Sequence, residues 1–465
     1  MFQYYSLCSF RAYADDITIF GSSATDLTLL LDSIFPLYKQ ATGGFINIQK
    51  SSLFLVSPSS PFPTPPNSPP ISSSLGILGF TLPITPSNTN SLWSSLITKI
   101  KNRAASLSSR SLFLKGRVLI SKTLLLSKIW YYATLCPPPS NIITSLQSII
   151  NTFIWNNSKT HPRFEIASLP VSQGGISIPD IKLELRIRHA KLISKTFDTL
   201  PPFWCKVLNQ FTLSKFSQSL PSCIINKRST YLPIEPLRSC LNASKLIQQF
   251  SPSTILNSPP LPTLRSILTF IPSPPYTPYY PSPKFPHLSW KEIHHKDYPH
   301  KIQDLLWKIA HFSLPIGISI STISPYSSFC PWCPNTSNSI PHLFSDCPIA
   351  SSLYTLTCEI CHLLIPSSTP SSLISNSSSP NIKQISRLIF SSFLWTIWTS
   401  YTSCTFGTSS PPNLLDIFIS FKHILFNNRS LFHSNLWPSL HTLSNLINNK
   451  ILTSIPPPPS IYITS

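Results

Sequence analysis

The chain has 465 residues, 42% of them hydrophobic, and a formal charge of +20 from 35 Lys and Arg against 15 Asp and Glu. That length allows roughly two to four domains with real cores, and 11 cysteines spread over it exclude a dense disulfide framework. The charge points to a polyanionic partner, but it arises from missing acid. Gly, Val, Asp, Glu and Ala share codons beginning with G, so a G-poor coding strand would account for part of it. The same scarcity excludes a C-terminal carboxylate-metal nuclease, because after Cys347 only Glu359 and Asp416 remain.

The first element is "RAYADDITIF" (11–20), where Asp15 and Asp16 stand between short apolar flanks. The alternation of Ile17, Thr18, Ile19 and Phe20 predicts a strand, and the pair a tight hairpin turn. Two neighbouring carboxylates repel, so the pair is either a solvated turn or a site for a hard cation such as Mg²⁺. Ser23 to Lys39 predicts a helix, with Leu27, Leu30, Leu31, Ile34 and Leu37 on one face. Ser23 and Asp26 have capping-box spacing, and Gly43-Gly44 ends the helix. Pro36 falls inside the pattern, where proline costs roughly 3 kcal/mol. "GFINIQKSSLFLV" predicts a strand pair with Lys50 at its bend. A Pro/Ser insertion (57–74) follows, and "LGILGFTL" is a short strand or hairpin.

Residues 91–160 read as helical. Lys115, Arg117, Lys122 and Lys128 lie among Leu114, Val118, Leu119, Leu125 and Leu126, and "CPPP" (136–139) stops the helix. A further helix runs from Asn141 to Trp155. Over 176–200, Arg186, Arg188 and Lys191 interleave with Leu183, Leu185, Ile187 and Leu192. These basic faces are either solvated charge or contacts for nucleic acid. Residues 201–299 are too rich in proline for long helices and read as linker, with one short helix near Leu264–Phe270. Helices resume at Trp290–Phe312 and over 382–450, before a Pro-rich tail (451–465). The uncharged stretch 388–406 reads as a buried core helix rather than a membrane span, since Ser and Thr crowd it. The N-terminus has no signal-peptide core, and an intracellular setting, nucleus or cytoplasm, is expected.

Cys330 and Cys333 are spaced C-x₂-C, with His342 and Cys347 following. Four soft or borderline ligands suit a closed, tetrahedral, structural Zn²⁺ site. "PNTSNSIP" between the pairs is polar and turn-like, as a knuckle needs. Cys358, Cys361 and His362 sit in an apolar helical run and read as core.

Taken in order, the YADD hairpin, its helix, "GGFINIQKS" and "LGF" resemble the palm of reverse transcriptases from non-LTR, LINE-type retrotransposons. Residues 107–139 resemble the thumb that follows. Trp155, Gly174, Gly175, Ile178 and Asp180 resemble the family's next segment, and "CPWCPNTSNSIPHLFSDC" its C-terminal zinc-binding region. The resemblance implies an α+β fold: a palm remnant (1–90), a helical thumb and connection (91–200), a linker (201–299) and a zinc-knuckle-bearing helical region (300–450).

It also implies RNA-directed DNA polymerase chemistry with two Mg²⁺ ions. Asp15 would ligate the metals, Asp16 would assist, Lys50 would sit near the leaving phosphates, and Leu78, Gly79 and Phe80 would steady the primer end. The implied partners are an RNA template and a DNA primer or target duplex, with no membrane. The family carries a further metal-binding aspartate on an earlier palm strand. Twelve residues precede Tyr13, so the expectation is a C-terminal part of such an enzyme, without fingers or first catalytic aspartate and inactive alone. The alternatives are a non-catalytic nucleic-acid-binding remnant and a functionless relic of a decayed element.

Overall fold

Residues 9–13, 16–21, 23–55, 64–65, 68–77, 80–82, 86–195, 205, 242, 263, 277–279, 282, 284–321, 327–364, 366–377, 379–407, 410–427 and 437–453 are described in the structure, a computed structural model. The chain divides into one unit made of 1–99 with 129–142 and another made of 100–128 with 143–465.

In the first unit, β1 (Ser9–Tyr13) and β2 (Asp16–Phe20) form an antiparallel hairpin in which Tyr13 faces Asp16. Helix α1 (Ala24–Leu29) opens on the predicted capping box: the Asp26 N–H donates to Ser23 Oγ at 3.2 Å, and the Ser23 N–H donates to Asp26 Oδ2 at 3.0 Å. A π-helical turn, Leu30–Ile34, separates it from α2 (Phe35–Thr42). That turn explains how Pro36 is tolerated. The Phe35 N–H reaches back to the Leu30 carbonyl, and Pro36 falls in the first turn of a fresh α segment, where no N–H is needed. Gly43 closes α2 at φ +71, a left-handed value open to glycine.

The predicted strand pair around Lys50 is not formed. Asn47 caps the Lys50 N–H at 3.2 Å and draws Ile48–Lys50 into a single 3₁₀ turn, leaving one isolated bridge between Leu53 and Ile71. Strands β3 (Leu75–Ile77) and β4 (Phe80–Leu82) form a second hairpin, with Ile77 facing Phe80. The α+β palm expectation is therefore corrected: among the described residues the strands make two separate two-stranded hairpins, no palm sheet is present, and the fold is mostly helical. Strands of three and five residues, each bonded on one side only, supply too few partners for a stable sheet.

Helices α3 (Pro86–Ser108), α5 (Ser127–Leu135) and α6 (Ser140–Trp155) each cross the division between units. In the second unit, α4 (Leu114–Ile120) runs into a π-helical turn, Ser121–Leu125. α5 stops at the prolines, as the sequence predicts. α6 (Ser140–Trp155), the short α7 (Phe164–Ala167) and α8 (Ile181–Ser194) follow. Asp180 caps α8, accepting the Leu183 N–H on Oδ1 at 3.0 Å. The predicted helix at 264–270 lies outside the described residues. Proline divides the predicted helix at 290–312 into α9 (Trp290–Ile293) and α10 (His300–Ala310), with Pro299 at the cap of α10.

Beyond a short α11 (Ile318–Ser321) lie α12 (Pro348–Leu364), α13 (Pro370–Asn376), α14 (Pro380–Phe406), α15 (Leu414–Asn427) and α16 (Trp437–Thr453). α14 is the centre of this packing and touches α12, α13 and α15. It buries Ile389, Phe390, Phe393 and Ile397 among Leu353, Ile360 and Phe421 of the second unit's core. Among the described residues, no helix is long and apolar enough to cross a membrane. The uncharged stretch 388–406 is the core of α14.

Candidate metal centre

The chain around Cys330 folds back on itself. The Cys330 N–H donates to the Thr336 carbonyl at 3.0 Å, the Thr336 N–H to that of Cys333 at 3.2 Å, and Asn338 to Ser328 at 2.9 Å. Asn335, at φ +66, makes the tip; asparagine tolerates the left-handed region better than most side chains. The second pair is set by another π-helical turn, His342–Asp346. Ser339 Oγ accepts the His342 N–H at 3.2 Å to start it, and the Cys347 N–H donates to the His342 carbonyl at 2.8 Å to end it. The five-residue spacing of that bond places His342 and Cys347 one turn apart. α12 begins at the next residue, so Cys347 sits at a helix N-terminus, where a thiolate is favoured.

Ligand atoms of Cys330, Cys333, His342 and Cys347 lie within 4.8 Å of one another, and Cys333 Sγ is 3.7 Å from Cys347 Sγ. Cys330 and Cys347 are buried, Cys333 and His342 half-buried. The backbone N–H groups of Trp332 and Cys333 donate to the Cys330 sulfur, and those of Ile349 and Ala350 to the Cys347 sulfur. Such bonds stabilise thiolates. Without a cation, however, the thiol of Cys330 beside it, and then burial, hold the Cys347 thiol far above its ordinary range. A divalent cation reverses that balance. His342 supplies a second test of fit: its Nε2 is buried with no hydrogen-bond partner, the state of a lone pair that a metal would satisfy. Three thiols and one imidazole would fill a tetrahedron and leave no place for water, so a Zn²⁺ held here would be structural.

A layer of polar contacts fixes the centre from behind. Lys284 Nζ donates to the Ser345 carbonyl at 3.0 Å, Ser345 Oγ to Ser282 Oγ at 2.8 Å, and the Tyr354 hydroxyl to the Lys284 carbonyl at 3.1 Å. Phe285 meets Phe344 and Phe390 edge to face. Cys361 is buried core on α12, its thiol pushed up to about 12 by burial. The C-x₂-C of Cys358 and Cys361 forms no metal group among the described residues.

The other predicted site residues are not gathered in this way. Asp15, Leu78 and Gly79 lie outside the described residues. Asp16 is exposed at the end of its hairpin, and Lys50 is exposed on its 3₁₀ turn. Phe80 is buried against Tyr131 and Tyr132, with ring centroids 5.1 and 5.3 Å away. Lys122, Lys128 and Arg186 are exposed, while Arg188 and Lys191 are half-buried. Lys115 is half-buried, with Nζ donating to Gln303 Oε1 at 3.0 Å.

Arg117 departs from the predicted basic face. It is buried, and its guanidinium donates to the carbonyls of Leu112, Phe153, Ser108 and Arg110. It ties α4 to the ends of α3 and α6 instead of facing solvent. Nothing in the local sequence separates it from its exposed neighbours.

Gly174 and Gly175 have a packing role as well. The Gly174 carbonyl accepts from Trp307 Nε1 at 2.9 Å and lies 2.7 Å from His311 Nε2. A Cβ on Gly174 would stand 2.8 Å from the Trp290 ring, and one on Gly175 1.9 Å from the Leu169 carbonyl. The glycine turn is thus the seat on which α9 and α10 rest.

Residues 282–354 match the family model for zinc-binding in reverse transcriptase, and all four candidate ligands fall inside the match. This stretch is a zinc-binding domain of the reverse-transcriptase-associated type. It begins within 201–299, the segment whose proline content reads as linker, and the contacts of Ser282, Lys284 and Phe285 join that stretch to the centre. No curated protein matches the chain.

Proposed function

We propose that this chain serves a LINE-type reverse transcriptase, with its zinc-centred helical region and thumb helices holding the RNA template or the DNA primer or target duplex. The observation that carries the reading is the Cys330, Cys333, His342 and Cys347 group inside the zinc-binding match. Zinc fixes the fold of 327–364, and grip on nucleic acid comes from exposed cations meeting phosphates. Lys122, Lys128 and Arg186 are the predicted basic residues that stand exposed. A reducing, intracellular setting goes with it, because three thiols within 4.8 Å of one another would oxidise in pairs elsewhere.

The polymerase part of the proposal rests on the YADD resemblance. Asp15 and Asp16 would hold Mg²⁺, which polarises phosphoryl oxygens. The zinc group, unlike the YADD pair, lies inside a family match, so the zinc-centred half is the better supported.

The test is metal analysis of the purified chain with salt-dependent binding of an RNA–DNA hybrid. About one equivalent of zinc is expected, together with affinity that falls by a log-log slope of roughly −0.9 per phosphate contact on duplex DNA. Cys330→Ser should lower both zinc content and binding. A zinc-loaded chain that holds hybrid no better than a neutral control protein overturns the reading.

A further inference from the structure

The second unit carries a groove with no assigned role. Where α6 ends, a depression of about 640 Å³ is lined by Trp155, Asn157, Lys159 and His161 among others. A neighbouring depression of about 360 Å³ is lined by Lys159, His161, Phe312 and others. The two share Lys159 and His161 and so adjoin as one groove. We propose that this groove binds a single nucleic-acid strand through its bases, an inference that deepens the nucleic-acid reading above and rests on it.

Three observations carry it. The first is the rings. His161 is exposed and lies flat on buried Trp155, with centroids 4.6 Å apart and planes at 9°. One face of the imidazole is thereby committed and its orientation fixed. Phe312 is 58% exposed and stands at φ +51, with its ring backed by Tyr279 at 3.8 Å. A phenylalanine held both in the left-handed region and out in water bears two costs at once, a combination found where side chains act on ligands. Flat rings with fixed backs are stacking platforms for bases of any identity.

The second observation is charge. No carboxylate lines either depression. Lys159 is exposed, and no carboxylate pairs with it among the described residues. It is placed to meet a phosphate. The third is the rest of the first depression's lining, which is largely amide and hydroxyl, as in Thr152, Asn157 and Ser158, groups that pair with base edges.

A protein partner fits less well. A docked helix needs an apolar trough and a docked strand an open sheet edge, and the lining offers neither. A duplex hides its bases and is held through many phosphates, whereas this groove offers one lysine and several rings. The occupant is therefore an unpaired strand.

The test uses the full zinc-loaded chain and three labelled probes: a short oligouridine, the matching oligothymidine, and a DNA duplex. Phe312→Ala should weaken single-strand binding on the order of tenfold, and Phe312→Tyr should restore it. Lys159→Gln should make the log-log salt slope for the strand shallower by about 0.7. Duplex binding and zinc content should not move. Equal binding of RNA and DNA strands, or tighter binding of RNA, agrees with the inference. Strand binding that ignores both substitutions overturns it, as does a chain that binds duplex but no single strand; both results leave the broader reading standing. A chain that binds no nucleic acid overturns both. If Phe312→Ala fails to fold, a 4-thiouridine strand photo-crosslinked to the unaltered chain replaces it. Links at His161 or Phe312 support the groove, and links confined to other segments overturn it.

Discussion

The stretch 9–55 and the stretch 285–427 carry the same kind of sequence, apolar residues at helical or alternating spacing, and end with opposite surfaces. In the first, Phe10, Leu37 and Phe45 are 67%, 65% and 73% exposed, and Leu30 is the one hydrophobic residue buried among those described. In the second, Leu343, Phe344, Phe390 and Phe421 are fully buried around α14. Amphipathic pattern makes a helix, but burial needs a facing surface. The second stretch has one where α12, α13 and α15 meet α14, and it holds the candidate metal centre. The lesson is that, of these two stretches, the second alone has found the surface its pattern calls for.

The largest test of that contrast is metal removal. Chelating zinc, or Cys330→Ser with Cys347→Ser, should abolish slow hydrogen exchange over 327–364, because metal binding there is coupled to folding. Exchange over 24–42, expected to be fast with zinc in place, should hardly change. Equal loss in both stretches would mean that the two fold as one. Next in size is Gly175→Ala. A Cβ 1.9 Å from the Leu169 carbonyl must displace the turn on which α9 and α10 rest. About 3 kcal/mol of destabilisation is expected by denaturant melting. Arg117→Gln should cost about 2 kcal/mol, since it leaves buried carbonyls without their charged donor; a neutral result would place that side chain in solvent.

A smaller effect is expected from pH. Burial first, and then the nearby Lys115 charge, lower His294 to about 4, against 6.5 for the free side chain. In that window the unfolded chain binds the proton and the folded chain does not. The contribution of His294 is thus complete above pH 6.5 and disappears as pH falls toward 4. Melting temperatures across that range should fall less steeply in His294→Gln than in the parent chain. The smallest effect should come from the exposed stretch. Phe45→Ser or Leu37→Ser is expected to move stability by no more than about 0.5 kcal/mol. A larger loss would show that these side chains are covered in solution, and the contrast between the two stretches would fail.

Much of the metal centre is legible in the sequence. The spacing of Cys330, Cys333, His342 and Cys347 picks out the same four residues that the fold gathers, because each pair is held by turns only a few residues long. The Ser23 capping box, the stop at Gly43 and the break at "CPPP" are legible for the same reason. The palm is not. An alternating run at 45–56 suits a strand, but a strand needs a neighbour, and the Asn47 cap draws the chain into a turn instead.

By itself, then, the sequence determined where helices start and stop and which four side chains can share a metal ion, since those outcomes depend on residues within a turn or two of each other. The tertiary structure alone decided that Arg117 turns inward, that Phe312 stays in water, and that Gly174 receives Trp307 and His311 from more than 130 positions along the chain. Such pairings depend on which distant surfaces meet, and no local pattern of charge or hydrophobicity encodes that meeting.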